Sequence, residues 1–143
     1  MAFDAFLKLD GIDGESVQKG YEKWIEILSF SWGASNPARS NTGGGAGAGK
    51  VQFQDFHFVV NFSKASPDLF KRCATGEHIK TGVLSVRKAG EKPLEFYKLR
   101  MSDLLVSSYQ EGSGGGEAPV DQVSLNFADV AIDLPQQSPT GTD

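Results

Sequence analysis

Cysteine is nearly absent. Cys73 stands alone among 143 residues, which excludes an intrachain disulfide and fits a reducing compartment. Histidine is almost as scarce: His57 and His78 fall in different parts of the chain, and neither belongs to an H-x-x-x-H spacing, so no recognised zinc pattern can be assembled. No stretch approaches the roughly 18 consecutive apolar residues that a membrane-spanning helix needs. The N-terminal MAFDAFLKLD is broken by Asp4 and Lys8, which is not the apolar core of a secretory signal. The expectation is a chain made in the cytosol, whose export would use a route without a cleaved signal. Basic residues are outnumbered, 14 Lys and Arg against 18 Asp and Glu, for a net charge of −4. That balance leaves no electrostatic footprint for nucleic acid. Lys71-Arg72 and Arg87-Lys88 are too small to form a polybasic membrane anchor, so direct membrane insertion is not expected either.

The usual catalytic patterns are missing as well. No G-x-S-x-G elbow exists. DGIDGES (10–16) does not space its carboxylates as a calcium loop requires, and it reads as a turn between strands. Cys73, on an apolar helix face, reads as a small core residue rather than a nucleophile. NFS (61–63) matches a glycosylation acceptor only by chance, because no secretory signal accompanies it. No enzyme, cofactor or metal is indicated.

What is plentiful is glycine and period-two alternation. The chain has 17 glycines, and NTGGGAGAGK (41–50) fits G-x-x-x-x-G-K from Gly44 to Lys50. A phosphate-binding loop needs a following Ser or Thr and a helix N-terminus. Here Val51 opens the β-rich VQFQDFHFVV, so the nucleotide reading fails on context. In FDAFLKL, alternation sets Phe3, Ala5, Leu7 and Leu9 on one face. KWIEILSFSWG sets Trp24, Leu28, Phe30 and Trp32 against Ile25 and Ile27, so both of its faces are partly apolar. The phase flips near Gln54-Asp55, again in LEFYKLRM, and again in VSLNFADVAIDL. Flips of this kind mark bulges or bends, and three of them predict a sheet that curls on itself. The fold class is therefore mainly β, a two-sheet barrel with one short flanking α-helix.

That helix is ASPDLFKRCATGEH. Ser66 is the expected N-cap, Pro67 the first helical residue, and Gly76 the left-handed stop. Leu69, Phe70 and Cys73 supply its apolar stripe over about two turns. Residues 33–49 and 111–119 are long glycine-rich connections. Connections of the first kind are uncommon in compact domains, and a glycine-rich one suits an arm that orders on a partner. One domain is expected over 1–135, with 136–143 as a short disordered tail.

Taken together, MAFDAFLKLDGIDGES, WIEILSFSWG, GGGAGAGKV, SPDLFKRCATGEH, LSVRKAG, LLVSSYQEGSGGGE and VSLNFADVAIDL resemble the Hcp family, the haemolysin-coregulated proteins of bacterial type VI secretion. The likeness covers nearly the whole chain in the family's order. The chain stops after PQQSPTGTD, where many members continue. The resemblance implies a barrel similar to phage tail-tube proteins, assembled as a homohexameric ring. Stacked rings would form an inner tube that works with the spike protein, sheath and baseplate components and shelters effector proteins in its lumen. It also implies that the arm reaches a neighbouring subunit through Arg39, Ser40, Asn41, Thr42, Gly43, Gly44, Gly45, Ala46, Gly47 and Lys50. A small monomeric barrel that binds an apolar ligand is the alternative reading of the same strands.

Overall fold

Apolar residues at alternate positions line one face of a strand and need a partner layer there, and here the chain supplies it by bending one sheet. A computed structural model describes residues 2–37, 50–90 and 94–135. In chain order the elements are β1 (Phe3–Leu9), β2 (Ile25–Ile27), β3 (Ser29–Ser35), β4 (Gln52–Asn61), α1 (Ala65–Thr75), β5 (Ile79–Lys88), β6 (Leu94–Gly112) and β7 (Val120–Asp133). They form one seven-stranded sheet in the order β2-β1-β5-β6-β7-β4-β3. Every pairing is antiparallel. The two edge strands, β2 and β3, are consecutive in sequence with only Leu28 between them. The Leu28 amide donates to the Val59 carbonyl of β4 at 2.7 Å, so the chain itself steps from one edge to the other. The sheet is thereby curled into a half-barrel.

The three phase flips are the bends that make this possible. Opposite Trp32 the register moves from Ser31↔His57 to Gly33↔Gln54, which leaves an extra residue in β4 at Asp55-Phe56. Asp55 is held at that bulge by Ser107 Oγ at 2.6 Å and Asn126 Nδ2 at 3.1 Å. A second bulge puts Phe96 between the pairs Val86↔Tyr97 and Arg87↔Glu95. The third flip is different. Met101↔Val130 and Leu104↔Phe127 keep one register, while Asp103 takes a left-handed φ of 53°. Both strands turn there together. The inward residues of β6 change there from Leu99 and Met101 to Leu104 and Val106, all buried.

Inside the curl lie Leu7, Phe56, Phe58, Leu84, Leu99, Leu104, Val123 and Leu125, each with no exposed surface. A second, smaller cluster sits on the outer face of β1 and β5. There Phe6 stacks on Tyr21 at 4.4 Å, and the Arg87 guanidinium lies over both rings at 5.4 and 5.2 Å. Tyr21 Oη meets Ser85 Oγ at 2.8 Å, and Ser85 in turn donates to Glu95. The cover for this cluster is the segment between β1 and β2, folded back by Gly14 N–H to Lys23 O at 2.7 Å. Gly14 has no room to grow: a Cβ would stand 2.6 Å from Ile25 Cα and closer still to the Trp24 carbonyl oxygen. Gly14→Ala is expected to cost about 1–3 kcal/mol by forcing backbone apart. Urea unfolding that matches the parent would show that this segment yields freely.

Helix α1 corrects the sequence expectation in three respects. It has 11 residues, starts at Ala65, and its cap position is Lys64 with no side-chain cap bond. Ser66 is inside the first turn and buried, where its hydroxyl donates to Asp121 of β7 and accepts from Ser63 N–H at 3.0 Å. Ser66 thus ties the first turn of the helix to β7, and the Asp121 charge is favourable near a helix N-terminus. The apolar stripe runs through Ala65, Leu69 and Cys73 at four-residue spacing, which turns Phe70 outward to 59% exposure. Gly76 does end the helix, at φ 74° with its N–H on Arg72 O.

Candidate functional site

The expected arm lies at the junction of β3 and β4, where Ser35↔Gln52 is the outermost pair of the hairpin. Arg39, Ser40, Asn41, Thr42, Gly43, Gly44, Gly45, Ala46 and Gly47 fall outside the described residues. Lys50 is described and exposed. It leads into strand β4 rather than a helix, so no amide cluster follows it to hold a phosphate. The glycine-rich stretch is also shorter than expected at its start, because Gly33, Ala34 and Ser35 belong to β3. At the far connection, residues 111 and 112 belong to β6.

The root of the hairpin presents apolar surface. Val51 and Phe53 are 49% and 47% exposed. Phe53 meets Phe127 edge-on at 5.4 Å, and Trp32 meets the same ring at 6.3 Å. Trp32 is fixed by its Nε1–H, which donates to Tyr97 Oη at 2.9 Å. These rings stand on β3, β4 and β7, at one edge of the sheet.

Where the two edge strands meet, a groove of about 460 Å³ is lined by Phe3, Ile27, Leu28, Phe30, Phe96 and their neighbours. Phe3 and Leu28 are 53% and 58% exposed, and Phe3 packs on Phe96 at 5.3 Å. Large apolar side chains are therefore exposed both at the hairpin root and around this groove, as at surfaces that meet a partner. The two surfaces differ in shape and composition, so they suit contact between unlike faces.

The chain matches the family model described as "Type VI secretion system effector, Hcp" over residues 6–133. It is 39% identical to Protein hcp1 of Pseudomonas aeruginosa, across 99% of this chain and 88% of that one. The chain belongs to the Hcp family. Its fold agrees with solved Hcp structures. Hcp1 from Salmonella typhimurium superposes with a TM-score of 0.81 at 37% identity, over 94% of this chain and 87% of that one. A type VI secretion system effector from Yersinia pestis gives a TM-score of 0.81 at 27% identity, with 95% and 93% covered. As an Hcp protein it is part of a type VI secretion system, acts with other components of that system, and comes from a family of secreted proteins.

Among the described residues of this Hcp chain, no group of three or more His, Cys, Asp or Glu is placed to hold a metal ion, and no helix is long and apolar enough to cross a membrane. His57 Nδ1 pairs with Ser124 Oγ at 3.0 Å, and His78 Nδ1 with Asp103 at 2.7 Å. Sequence reasoning set Phe3 on one face with Ala5, Leu7 and Leu9, and Phe3 and Ala5 do share the groove, but it did not find the groove itself. Phe6, at the opposite phase of the same strand, signals instead the outer cluster with Tyr21. Apolar side chains at both phases of β1 mean that both faces of the strand meet apolar partners.

Proposed function

We propose that this Hcp protein is a structural, non-catalytic subunit of a homohexameric ring, and that its rings stack into the inner tube of a type VI secretion system. The ring would carry effector proteins in its lumen, meet the spike, sheath and baseplate components, form in the cytoplasm, and leave the cell with the tube. Residues 1–135 would act as one barrel domain, with 136–143 as a tail. The family match over residues 6–133, nearly the whole chain, carries this reading.

Two physical features support it. The exposed apolar side chains of the hairpin root and the apolar groove around Phe3 and Leu28 suit a head-to-tail contact closed by rotation, in which the root and arm of one subunit meet the groove of the next. Six subunits of net charge −4 carry −24, which opposes spontaneous stacking and leaves room for a template to start a tube. The monomeric ligand barrel is not favoured, because the interior is occupied by Phe56, Phe58, Leu99 and Leu125.

Native mass spectrometry with negative-stain imaging tests the ring. Particles of six subunits with a central opening are expected at micromolar concentration. A single species of 15.4 kDa would sink the proposal.

A further inference from the structure

The geometry points to a binding groove for a cationic side chain, a lysine or arginine on a basic segment of a partner protein, between the first turns of α1 and the end of the β6–β7 pair. The groove has a volume of about 340 Å³ and is lined by Phe62, Ser66, Pro67, Phe70, Tyr109 and Glu111. Three of these residues are aromatic. Phe62 and Phe70 are 54% and 59% exposed, and the Phe70 and Tyr109 rings are 5.8 Å apart with planes tilted by 59°. Aromatic walls around an open space attract a cation through their negative faces.

Negative charge stands at and behind the wall of the groove: Glu111 lines it, and the buried Asp121 lies behind Ser66. Glu111 of β6 lies directly opposite Asp121 of β7, so both side chains share one face of the sheet. Like charges at such a position repel unless a countercharge stands near. Asp121 is fully buried; one of its oxygens takes the Ser66 hydroxyl and the other, Oδ1, has no hydrogen-bond partner. Tyr109 Oη donates to Glu111 at 3.1 Å. Burial, then the charge of Asp121 and the bond to Glu111, push the Tyr109 phenol well above its ordinary pKa, as a negative environment requires.

No cation of this chain answers that charge among the described residues. The ion pairs join Arg72 to Glu77, His78 to Asp103, Arg87 to Asp4, Lys98 to Glu95 and Arg100 to Asp133. Both cation–π contacts belong to Arg87, on the far side of the core. A neighbouring groove, which shares Phe62, adds Glu15 and Glu26 to its lining. A segment with basic residues spaced along it would therefore find a second acidic site beyond the first. Charge complementarity selects this partner over an apolar one.

The test is an NMR titration of the purified full-length protein with a short lysine–alanine peptide, beside norleucine–alanine and glutamate–alanine peptides of equal length. Lysine–alanine should bind, shift the signals of Phe70, Tyr109 and Glu111, and weaken as salt is added. Phe70→Ala and Glu111→Gln, both at exposed positions, should each weaken it about three- to thirtyfold while leaving particle mass unchanged. Equal binding of the norleucine peptide, no binding of the lysine peptide, or unchanged affinity in both variants would overturn the proposal. So would a loss of assembly in Phe70→Ala, which would make the groove a contact between copies. The peptide measurement does not depend on the ring, so either idea can fail without the other.

Discussion

Phe56→Ala should cost about 3–5 kcal/mol of folding stability, while Phe70→Ala should cost no more than about 1 kcal/mol. Sequence composition alone does not separate the two rings. Phe56 has no exposed surface, sits at the β4 bulge, and packs on Phe58 and Phe30, each with centroids 5.9 Å away. Removing it takes away a large apolar side chain and leaves a cavity that the surrounding strands cannot close, because the bulge and its neighbours are fixed by the Asp55 hydrogen bonds. Phe70 is more than half exposed and loses only its partial contact with Tyr109. Urea titration of the two variants measures the difference, with the unfolding slope checked so that denatured-state changes are not counted as stability. Equal midpoints would mean that the barrel interior repacks, or that the helix presents a different face.

Leu28→Asp should dissociate the proposed ring while sparing the fold. Leu28 is 58% exposed, and what it gives the barrel is a backbone bond to Val59, which Asp can also make. Folding stability should therefore change by no more than about 0.5 kcal/mol. If the groove around Phe3 and Phe96 is covered by the next subunit, the new carboxylate is buried without a partner at every contact. A penalty of about 3–5 kcal/mol weakens each contact by a hundredfold to several thousandfold. Six such contacts act together in a closed ring, so the expected product at micromolar concentration is a folded monomer. Circular dichroism and particle mass, measured on one sample, separate the outcomes. A folded hexamer would remove the groove from the ring interface and leave the hairpin root as the surface to test next.

Much of this protein was legible in its sequence for a reason rooted in strand geometry. Side chains alternate across a sheet, so a change of phase must be a bulge or a bend, and the flips at Gln54-Asp55 and in LEFYKLRM are bulges in the structure. Gly76 was readable because a left-handed residue at a helix end strongly favours glycine. The assignments of Ser66 and Phe70 went astray for one shared reason. A serine before a proline satisfies the rules for a cap, but Asp121, which redirects its hydroxyl, lies 55 residues away in the chain. With the helix beginning at Ala65, the stripe that meets the barrel follows Leu69 and Cys73.

The sequence by itself determined strands such as β1, β4 and β7, where strands bend, where the helix ends, and the family, because each of these is written in local pattern or in residue order. Only the tertiary structure decided how the sheet closes and which apolar residues remain outside. β2 and β3 read as one continuous run of alternating residues, yet the Leu28 step sends one piece to β1 and the other to β4. No local preference distinguishes those two partners. Likewise, Phe3 and Phe6 have the same side chain three positions apart, and the segment around Tyr21 covers only Phe6. Glu111 and Asp121 become neighbours only through the β6–β7 register. Burial and charge proximity depend on which distant segment arrives, and periodicity along one strand carries no record of that.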